Sequence, residues 1–422
     1  MRKFYTRLII IVSFTILTMG IVNELQSRPQ YSILKTMGTK CTSCHVNPNY
    51  GGQRNFVGWL SSQSMTLVEP EDIGLGGFYD ALHNSNSIWD DRIMFGLDLR
   101  VQNARWAQTS KLEEYRREGE IVKPTLERKS MLMQFMPYVK VNIADWVSID
   151  GGYNFSYDIH DDMRYQGQQP GWASATFKVN DELPTLRVGF FPPPISVDYD
   201  DHTLLIRQVA GQGRSQPLIP ADYAELGASL NYNSIPWLDV SLGVFESKNL
   251  AEMMAGPVPV VLDNSLGTVA NVSFHPTLPY GMNTFFGVSH YVNGKLNSDD
   301  GLYYRNDFYY ISSVFFNIGL SDRVALMTEY IMSEKQSIRE VSNYLVEITY
   351  QLTEPVNVFF RYEDATTDDL VNDIEFKANQ YVLGAHIFPL PYIDILPEYR
   401  IYDRSEVDGY SSQVAVQLHI FY

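Results

Sequence analysis

Cysteine is scarce in this sequence: Cys41 and Cys44 are the only two among 422 residues. A disulfide-stabilised exported protein usually carries more cysteines, spread along the chain. Basic residues are also few, 32 against 49 acidic residues, which gives a net charge of −17. This balance argues against nucleic-acid partners, which require a basic face. Long apolar runs are missing beyond the N-terminus, and the mean hydropathy of −0.17 is too low for a helical membrane protein.

The N-terminus has the pattern of an export signal. Three basic residues precede an apolar run over 8–22, and Ser27 is a small residue at the expected cleavage point. An uncleaved inner-membrane anchor is the alternative, but the apolar run is short for a membrane span. We expect residues 1–27 to be a signal peptide.

One motif in the sequence carries recognisable chemistry, the run Cys41-Thr42-Ser43-Cys44-His45. Cys-x-x-Cys-His is the attachment sequence of c-type heme, in which two thiols bind one porphyrin and the histidine ligates its iron. A dithiol redox pair would require a βαβ setting, and a structural zinc site would require two further ligands nearby. The motif therefore predicts one covalently attached heme c in a small domain over residues 28–87.

The residues after the motif offer further candidates for the heme site. Arg54 can pair with a heme propionate, and Trp59 can either cover the ring or form ordinary core. Met65 is a candidate sixth iron ligand, and a His/Met pair would raise the heme potential. His83 is the second local candidate. A ligand from the remaining chain is also open, because three later histidines fall at comparable positions of their segments: His275, His386 and His419.

From Arg92 onward the sequence alternates with period two, as strands between lipid and an aqueous lumen must. Near the middle, for example, Leu238, Val240, Leu242 and Val244 alternate with Asp239, Ser241 and Gly243. We count 16 such segments, which start near Arg92, Met131, Trp146, Gly171, Thr185, Glu225, Trp237, Thr268, Gly281, Asn306, Arg323, Ser342, Val356, Ala378, Ile393 and Gly409. The pattern predicts an all-β transmembrane fold, a 16-stranded antiparallel outer-membrane β-barrel over residues 88–422. A soluble β-sandwich or barrel is the alternative, but it would not direct apolar side chains outward on every strand.

The connections between these segments alternate in length. Tight turns follow even strands and belong on the periplasmic side, whereas long loops follow most odd strands and belong outside. The heme domain would then lie at the periplasmic mouth or within the lumen. The long loop over 192–222 is a candidate for folding inward to narrow the pore, and clustered acids in the outer loops suit a cation such as Fe(II) or simply a solvated surface. The terminal pair Phe421-Tyr422 resembles the signal that outer-membrane proteins present to the barrel-assembly machinery.

The order of these parts resembles a known family. Around the motif stand Arg28-Pro29-Gln30-Tyr31, Asn47-Pro48, Gly51-Gly52, Arg54-Asn55 and Gly58, followed by the barrel pattern. The chain resembles the fused monoheme cytochrome–porins of the outer membrane, whose best-known members are outer-membrane iron oxidases. The resemblance implies that Cys41 and Cys44 attach the heme and that His45 is its proximal ligand.

Two main functions are open from the sequence. The first is an electron conduit between an extracellular donor or acceptor, Fe(II) among them, and a periplasmic carrier, in which case the protein is an outer-membrane Fe(II) oxidase or electron-transfer protein. Nothing in the sequence fixes the direction of electron flow. The second is a solute porin whose heme domain gates or senses. A heme enzyme such as a peroxidase is a weaker third option, because no distal acid–base residue is recognisable.

Overall fold

The structure is a computed structural model that describes residues 45, 54, 56–61, 66–83, 86–107, 126–156, 169–197, 204–210, 216–219, 222–253, 266–276, 278, 282–293, 309–320, 323–335, 338–405 and 410–422. Sixteen of its strands form one closed sheet. They are β1 (Ile93–Ala107), β2 (Leu126–Ala144), β3 (Val147–Tyr153), β4 (Gly171–Phe177), β5 (Thr185–Phe191), β6 (Glu225–Tyr232), β7 (Leu238–Phe245), β8 (Gly267–Phe274), β9 (Thr284–Asn293), β10 (Tyr309–Gly319), β11 (Val324–Lys335), β12 (Arg339–Thr353), β13 (Val356–Asp369), β14 (Ile374–Leu390), β15 (Ile393–Arg404) and β16 (Ser411–Phe421).

Each barrel strand pairs antiparallel with its neighbours in the chain, and the last strand closes the sheet on the first. The β16–β1 pairing runs from Ser412 opposite Ala107 to Phe421 opposite Asp98. Closure removes the unpaired strand edges that a lipid environment does not tolerate. The predicted 16-stranded antiparallel barrel is confirmed.

The strand starts also agree with the period-two pattern, and the largest difference is at β2. This strand begins at Leu126 rather than near Met131. The additional residues of β2 pair with the end of β1, where Ala107 lies opposite Leu126. A register shift between Arg100 and Val101 separates this part of the pairing from the rest. The shift breaks the alternation locally, so the sequence pattern alone does not reveal the first residues of β2.

Side chains alternate between the two faces of the barrel as expected. Leu242 and Leu383 point outward and are 51% and 60% exposed, whereas their inward neighbours Ser241 and Val382 are buried. Polar residues such as Asp150 and Asn271 are buried on the inner face. The barrel is therefore apolar outside and largely polar inside, the reverse of a soluble β-domain.

Short elements complete the described structure. The helices are α1 (Phe56–Ser61), α2 (Gly76–Leu82) and α3 (Lys248–Met253), with 3-10 turns at Pro70–Ile73 and Leu205–Arg207. Short strand pieces lie at Ser87–Ile88, Gln208–Val209 and Gln216–Pro217. Within the described ranges, no helix is both long and apolar enough to cross a membrane.

The two ends of the barrel differ in their connections. Tight turns close one end, for example between β14 and β15, where Tyr392 adopts a left-handed φ of 64°. The segment with α1 and α2 packs at this same short-turn end, because Trp59 and Tyr79 are buried together with Tyr392. The N-terminal segment therefore packs against the short-turn end of the barrel.

Candidate functional site

Three of the predicted heme residues fall within the described structure, and three do not. Cys41, Cys44 and Met65 lie outside the described residues. His45 and Arg54 face each other in an isolated antiparallel bridge, and such partners project their side chains to the same side. The heme-motif histidine and the predicted propionate partner are thus brought together.

Arg54 reaches the inner face of the barrel at the short-turn mouth. Its guanidinium carbon lies 4.3 Å from the centroid of the Phe421 ring. It also hydrogen-bonds Tyr138 and interacts electrostatically with Asp98, both of them inward-facing. The Arg54 Nη1 atom is buried without a hydrogen-bond partner among the described residues. The pair formed by His45 and Arg54 therefore sits at the entrance of the lumen.

Aromatic rings attach the N-terminal segment to this mouth. Trp59, 1% exposed, stacks on Tyr392 with ring centroids 6.4 Å apart, and meets Tyr422 edge-on at 6.2 Å. The Tyr79 hydroxyl donates to the Pro391 carbonyl at 3.3 Å, and the Tyr422 hydroxyl donates to the Leu82 carbonyl at 2.9 Å. Burial raises the pKa of the Tyr79 hydroxyl, which keeps it protonated as a donor. We call Tyr392 and Tyr422 the aromatic seat.

Backbone hydrogen bonds extend this attachment. The Leu67 amide donates to the Phe388 carbonyl at 2.9 Å, and the Val68 amide donates to the Pro389 carbonyl at 3.2 Å. The segment therefore continues the hydrogen bonding of the barrel wall beyond the aromatic seat. Of the two uses predicted for Trp59, the described contacts are those of core packing.

His83 follows α2 and packs against the same seat. Its ring lies 5.7 Å from the Tyr79 ring and 5.8 Å from the Tyr392 ring, measured between centroids. The His83 backbone amide donates to the Tyr79 carbonyl at 2.7 Å, and His83 is the C-cap residue of α2. Its Nε2 atom is buried and has no hydrogen-bond partner among the described residues.

The three later histidines face the lumen, as predicted, and each bonds an aspartate. His275 Nε2 lies 3.1 Å from Asp239, His386 Nδ1 lies 2.8 Å from Asp394, and His419 Nε2 lies 2.7 Å from Asp98. These partners stabilise each imidazole within the wall. The sequence did not predict the pairs, because the members lie on neighbouring strands and their register is set by the barrel.

The predicted inward loop is confirmed by the described parts of residues 192–219. Ile206 is fully buried, in an apolar cluster that also contains Leu204 and Leu218 of the loop and Tyr291 and Leu345 of the wall. We call this segment the inward loop. It lies within the barrel and narrows the lumen.

Polar side chains of the wall fix the backbone of the inward loop. Asn343 Nδ2 donates to the carbonyls of Leu205, Ile206 and Gln208 at 3.2, 3.0 and 2.7 Å. The Ile206 amide donates to Glu363 at 3.3 Å. Earlier in the loop, Asn271 Nδ2 donates to the Pro194 and Ser196 carbonyls, and Ser196 donates its hydroxyl to Glu329. The loop is therefore bonded to the wall from β8 to β13.

A buried charge network lies beside this contact. Arg361 donates to Glu363 at 2.8 Å and to Glu347 at 3.3 Å, and it lies 3.6 Å from Glu398. Arg400 donates to the same Glu398. Sequence reasoning missed this network, but a signal was present: opposite charges two residues apart on a strand, as in Arg361-x-Glu363, share one face.

The closed barrel with a polar lumen has the fold of the outer-membrane porins. OprB of Pseudomonas putida, solved at high pH, is similar with a TM-score of 0.53 and 11% identity, over 85% of this chain and 99% of that one. The anion-selective porin from Comamonas acidovorans is similar with a TM-score of 0.52 and 8% identity, over 78% and 99% of the two chains. No protein-family model matches the sequence, and no curated protein sequence matches it.

Proposed function

We propose that this chain is an outer-membrane pore for small hydrophilic solutes or ions that carries one covalent heme c at its periplasmic mouth. Residues 1–27 are the signal peptide, 28–87 the heme domain and 88–422 the pore. Its partners are outer-membrane lipid and the barrel-assembly machinery.

The distribution of side chains supports insertion of the barrel in a bilayer. Outward residues such as Val288 and Val414 are 52% and 53% exposed, and such side chains gain free energy in lipid. The buried polar residues of the inner face suit a wet lumen. The acidic chain, with a net charge of −17, is expected to attract cations toward this passage.

The observation that carries the pore function is the attachment of the inward loop. One side chain, Asn343, accounts for three bonds to its backbone, and Glu363 adds another. Such an attachment holds a loop at fixed width inside a barrel, which sets the size of the solutes that pass.

Conductance in planar lipid bilayers tests this function. The wild-type protein is expected to form stable channels, and Asn343→Leu is expected to enlarge them because the loop loses its attachment. Asn379→Leu is the matched control, since Asn379 lies on the outward face of β14 and accepts a bond from Tyr362. A wild-type protein that passes neither ions nor sugars contradicts the pore function.

The sequence motif and the described residues beside it fit a heme. Cys41, Cys44 and His45 would supply the attachment and proximal-ligand groups, and the buried Arg54 Nη1 is a donor that a propionate would satisfy. A bound heme would supply one-electron redox chemistry. Heme staining and a reduced-minus-oxidised spectrum test its presence, and a colourless purified protein contradicts it.

The position of His45 and Arg54 favours a second function, an electron conduit. Because Arg54 contacts inward-facing Phe421 and Tyr138, a heme held by His45 would lie beside the lumen rather than away from the barrel. Electrons would pass between an extracellular donor or acceptor and a periplasmic carrier. With Fe(II) outside, one electron leaves each ion, and the protein acts as an Fe(II) oxidase.

Liposomes separate the two functions. With Fe(II) outside and a one-electron carrier protein enclosed, a conduit reduces the carrier, which is itself too large to leak out. The variant Cys41→Ser/Cys44→Ser is expected to keep the wild-type conductance. It is expected to lose the part of the carrier reduction that exceeds reduction by Fe(II) entering through the pore. Equal carrier reduction by the wild type and the variant contradicts the conduit and leaves the pore function standing.

A further inference from the structure

We infer that His83 Nε2 would supply the second protein ligand of the heme iron, in addition to His45. This inference rests on the proposed covalent heme and names a residue of that same site. It assigns the ligand that the sequence left open among Met65, His83 and the histidines of the barrel.

The first support is the state of the His83 ring. The Nε2 atom is buried without a hydrogen-bond partner among the described residues, and the His83 ring packs against the rings of Tyr79 and Tyr392. A buried polar atom that makes no hydrogen bond is costly and rare in native proteins. Neutral imidazole is the commonest metal ligand among side chains, and an iron would give this nitrogen the partner that it lacks.

The second support comes from the other described histidines. His275, His386 and His419 each bond an aspartate of the wall, and His290 bonds the Ser312 hydroxyl at 2.7 Å on the outward face. These contacts account for the presence of each of those four rings. His83 lacks such a partner in the described part of the chain.

The third support is position. His83 lies in the proposed heme domain, and its ring packs on Tyr392 of the aromatic seat. Trp59, five residues after Arg54, stacks on that same Tyr392 ring. The flank of the heme motif and His83 therefore converge on one side chain at the mouth of the barrel.

The assignment has spectroscopic consequences. Two imidazoles hold the iron low-spin, at a potential below that of a His/Met pair. The wild-type spectrum is expected to lack the long-wavelength charge-transfer band of methionine ligation. In this assignment Met65 does not bind the iron.

The test uses full-length protein carrying heme. His83→Gly is expected to convert the iron to a high-spin state, and added imidazole is expected to restore the low-spin spectrum. His83→Met is expected to raise the reduction potential. His386→Gly, which removes a histidine of the wall, and Met65→Leu are the matched controls and are expected to keep the wild-type spectrum.

The outcomes distinguish this assignment from the proposal on which it rests. An unchanged low-spin spectrum in His83→Gly overturns the assignment and leaves the heme in place. A changed spectrum in Met65→Leu or His386→Gly, with His83→Gly unchanged, moves the ligand to that residue. Wild-type protein that stains negative for covalent heme overturns both. Imidazole rescue shows that His83→Gly is folded.

Discussion

The two walls of the lumen differ in whether the inward loop covers them. Buried charge pairs between strands occur on both, as Arg361 with Glu347 shows on the covered wall. On the loop-covered wall, β8–β14, an apolar cluster and the polar groups of Asn343 and Glu363 hold the inward loop. On the second wall, β15, β16 and β1–β5, buried charges bond between strands, as in the 2.9 Å contact of Arg187 with Asp150. The comparison indicates that the covered wall sets the width of the passage, while contacts on the second wall stabilise the barrel itself.

The largest expected effect is at Arg361 beside the loop contact. Arg361→Met removes the shared cation of Glu347 and Glu363, and leaving buried carboxylates unpaired costs about 3–5 kcal/mol. We expect the unfolding free energy, measured in detergent with denaturant, to fall by this amount and the conductance to rise. Arg361→Lys keeps the positive charge, and its unfolding free energy should lie between those of the wild type and Arg361→Met. A loss below ~1 kcal/mol would show that the network is well solvated.

A smaller effect is expected at Ile206, which is fully buried in the inward loop. Ile206→Ala leaves a cavity in the apolar cluster, a change that costs about 2–5 kcal/mol. The loop should detach more easily, with larger channels and faster proteolysis of the loop. Leu383→Ala on the outward face is the control and should leave both readouts unchanged. Equal proteolysis of the two variants would refute the apolar attachment.

On the second wall, Ser174 gives a milder test. Ser174→Ala removes the 2.7 Å bond that Arg187 Nε donates to its hydroxyl and the 3.0 Å bond that this hydroxyl donates to Asp150. The contact between Arg187 and Asp150 remains. We expect a loss of about 1–2 kcal/mol in unfolding free energy. Conductance should stay at the wild-type value, because the inward loop keeps its attachments. A larger conductance in Ser174→Ala would contradict the conclusion that only the loop-covered wall sets the width of the passage.

The smallest effect is expected outside the lumen, in the turn before β5. There Lys178 pairs with Asp181, and this hydrogen bond together with the lysine charge lowers the pKa of the fully exposed Asp181. A lowered pKa adds stability above the unfolded-state value, and that stability is lost as the pH falls through the folded value. Because solvent screens the pair, Asp181→Asn should not shift the unfolding midpoint at neutral or acidic pH. A measurable shift would contradict this screening.

Period-two alternation predicted most of the barrel, since it depends on one local property, the choice of lipid or lumen for each side chain. The starts of β4, β5, β6, β13 and β15 match the predicted residues Gly171, Thr185, Glu225, Val356 and Ile393. The missed start of β2 shows where this fails, because a register shift interrupts the alternation. The tight turn before β15 was predicted as one of those that follow the even strands, and Pro391, which cannot continue a strand ladder, lies in it.

The candidate site was predicted only in part. The heme motif is local in sequence, so the sequence alone assigned both His45 and Arg54 to the heme site. The structure adds the antiparallel bridge that joins these two residues. Contacts across the barrel were not predicted, because Asn343 lies 137 residues from Ile206. Such a pairing depends on the path of the inward loop, which the composition of that loop does not encode.

The seam between β16 and β1 also fixes the order in which the molecule can be assembled. Tyr422 exchanges backbone hydrogen bonds with Leu97 across that seam, and its carbonyl accepts a bond from the Tyr138 hydroxyl of β2. Half of the aromatic seat is thus positioned by strands far apart in sequence. While the sheet is still an open ribbon, Trp59 has no complete surface to dock on. Docking of the N-terminal segment on the complete aromatic seat therefore requires that β16 has already paired with β1.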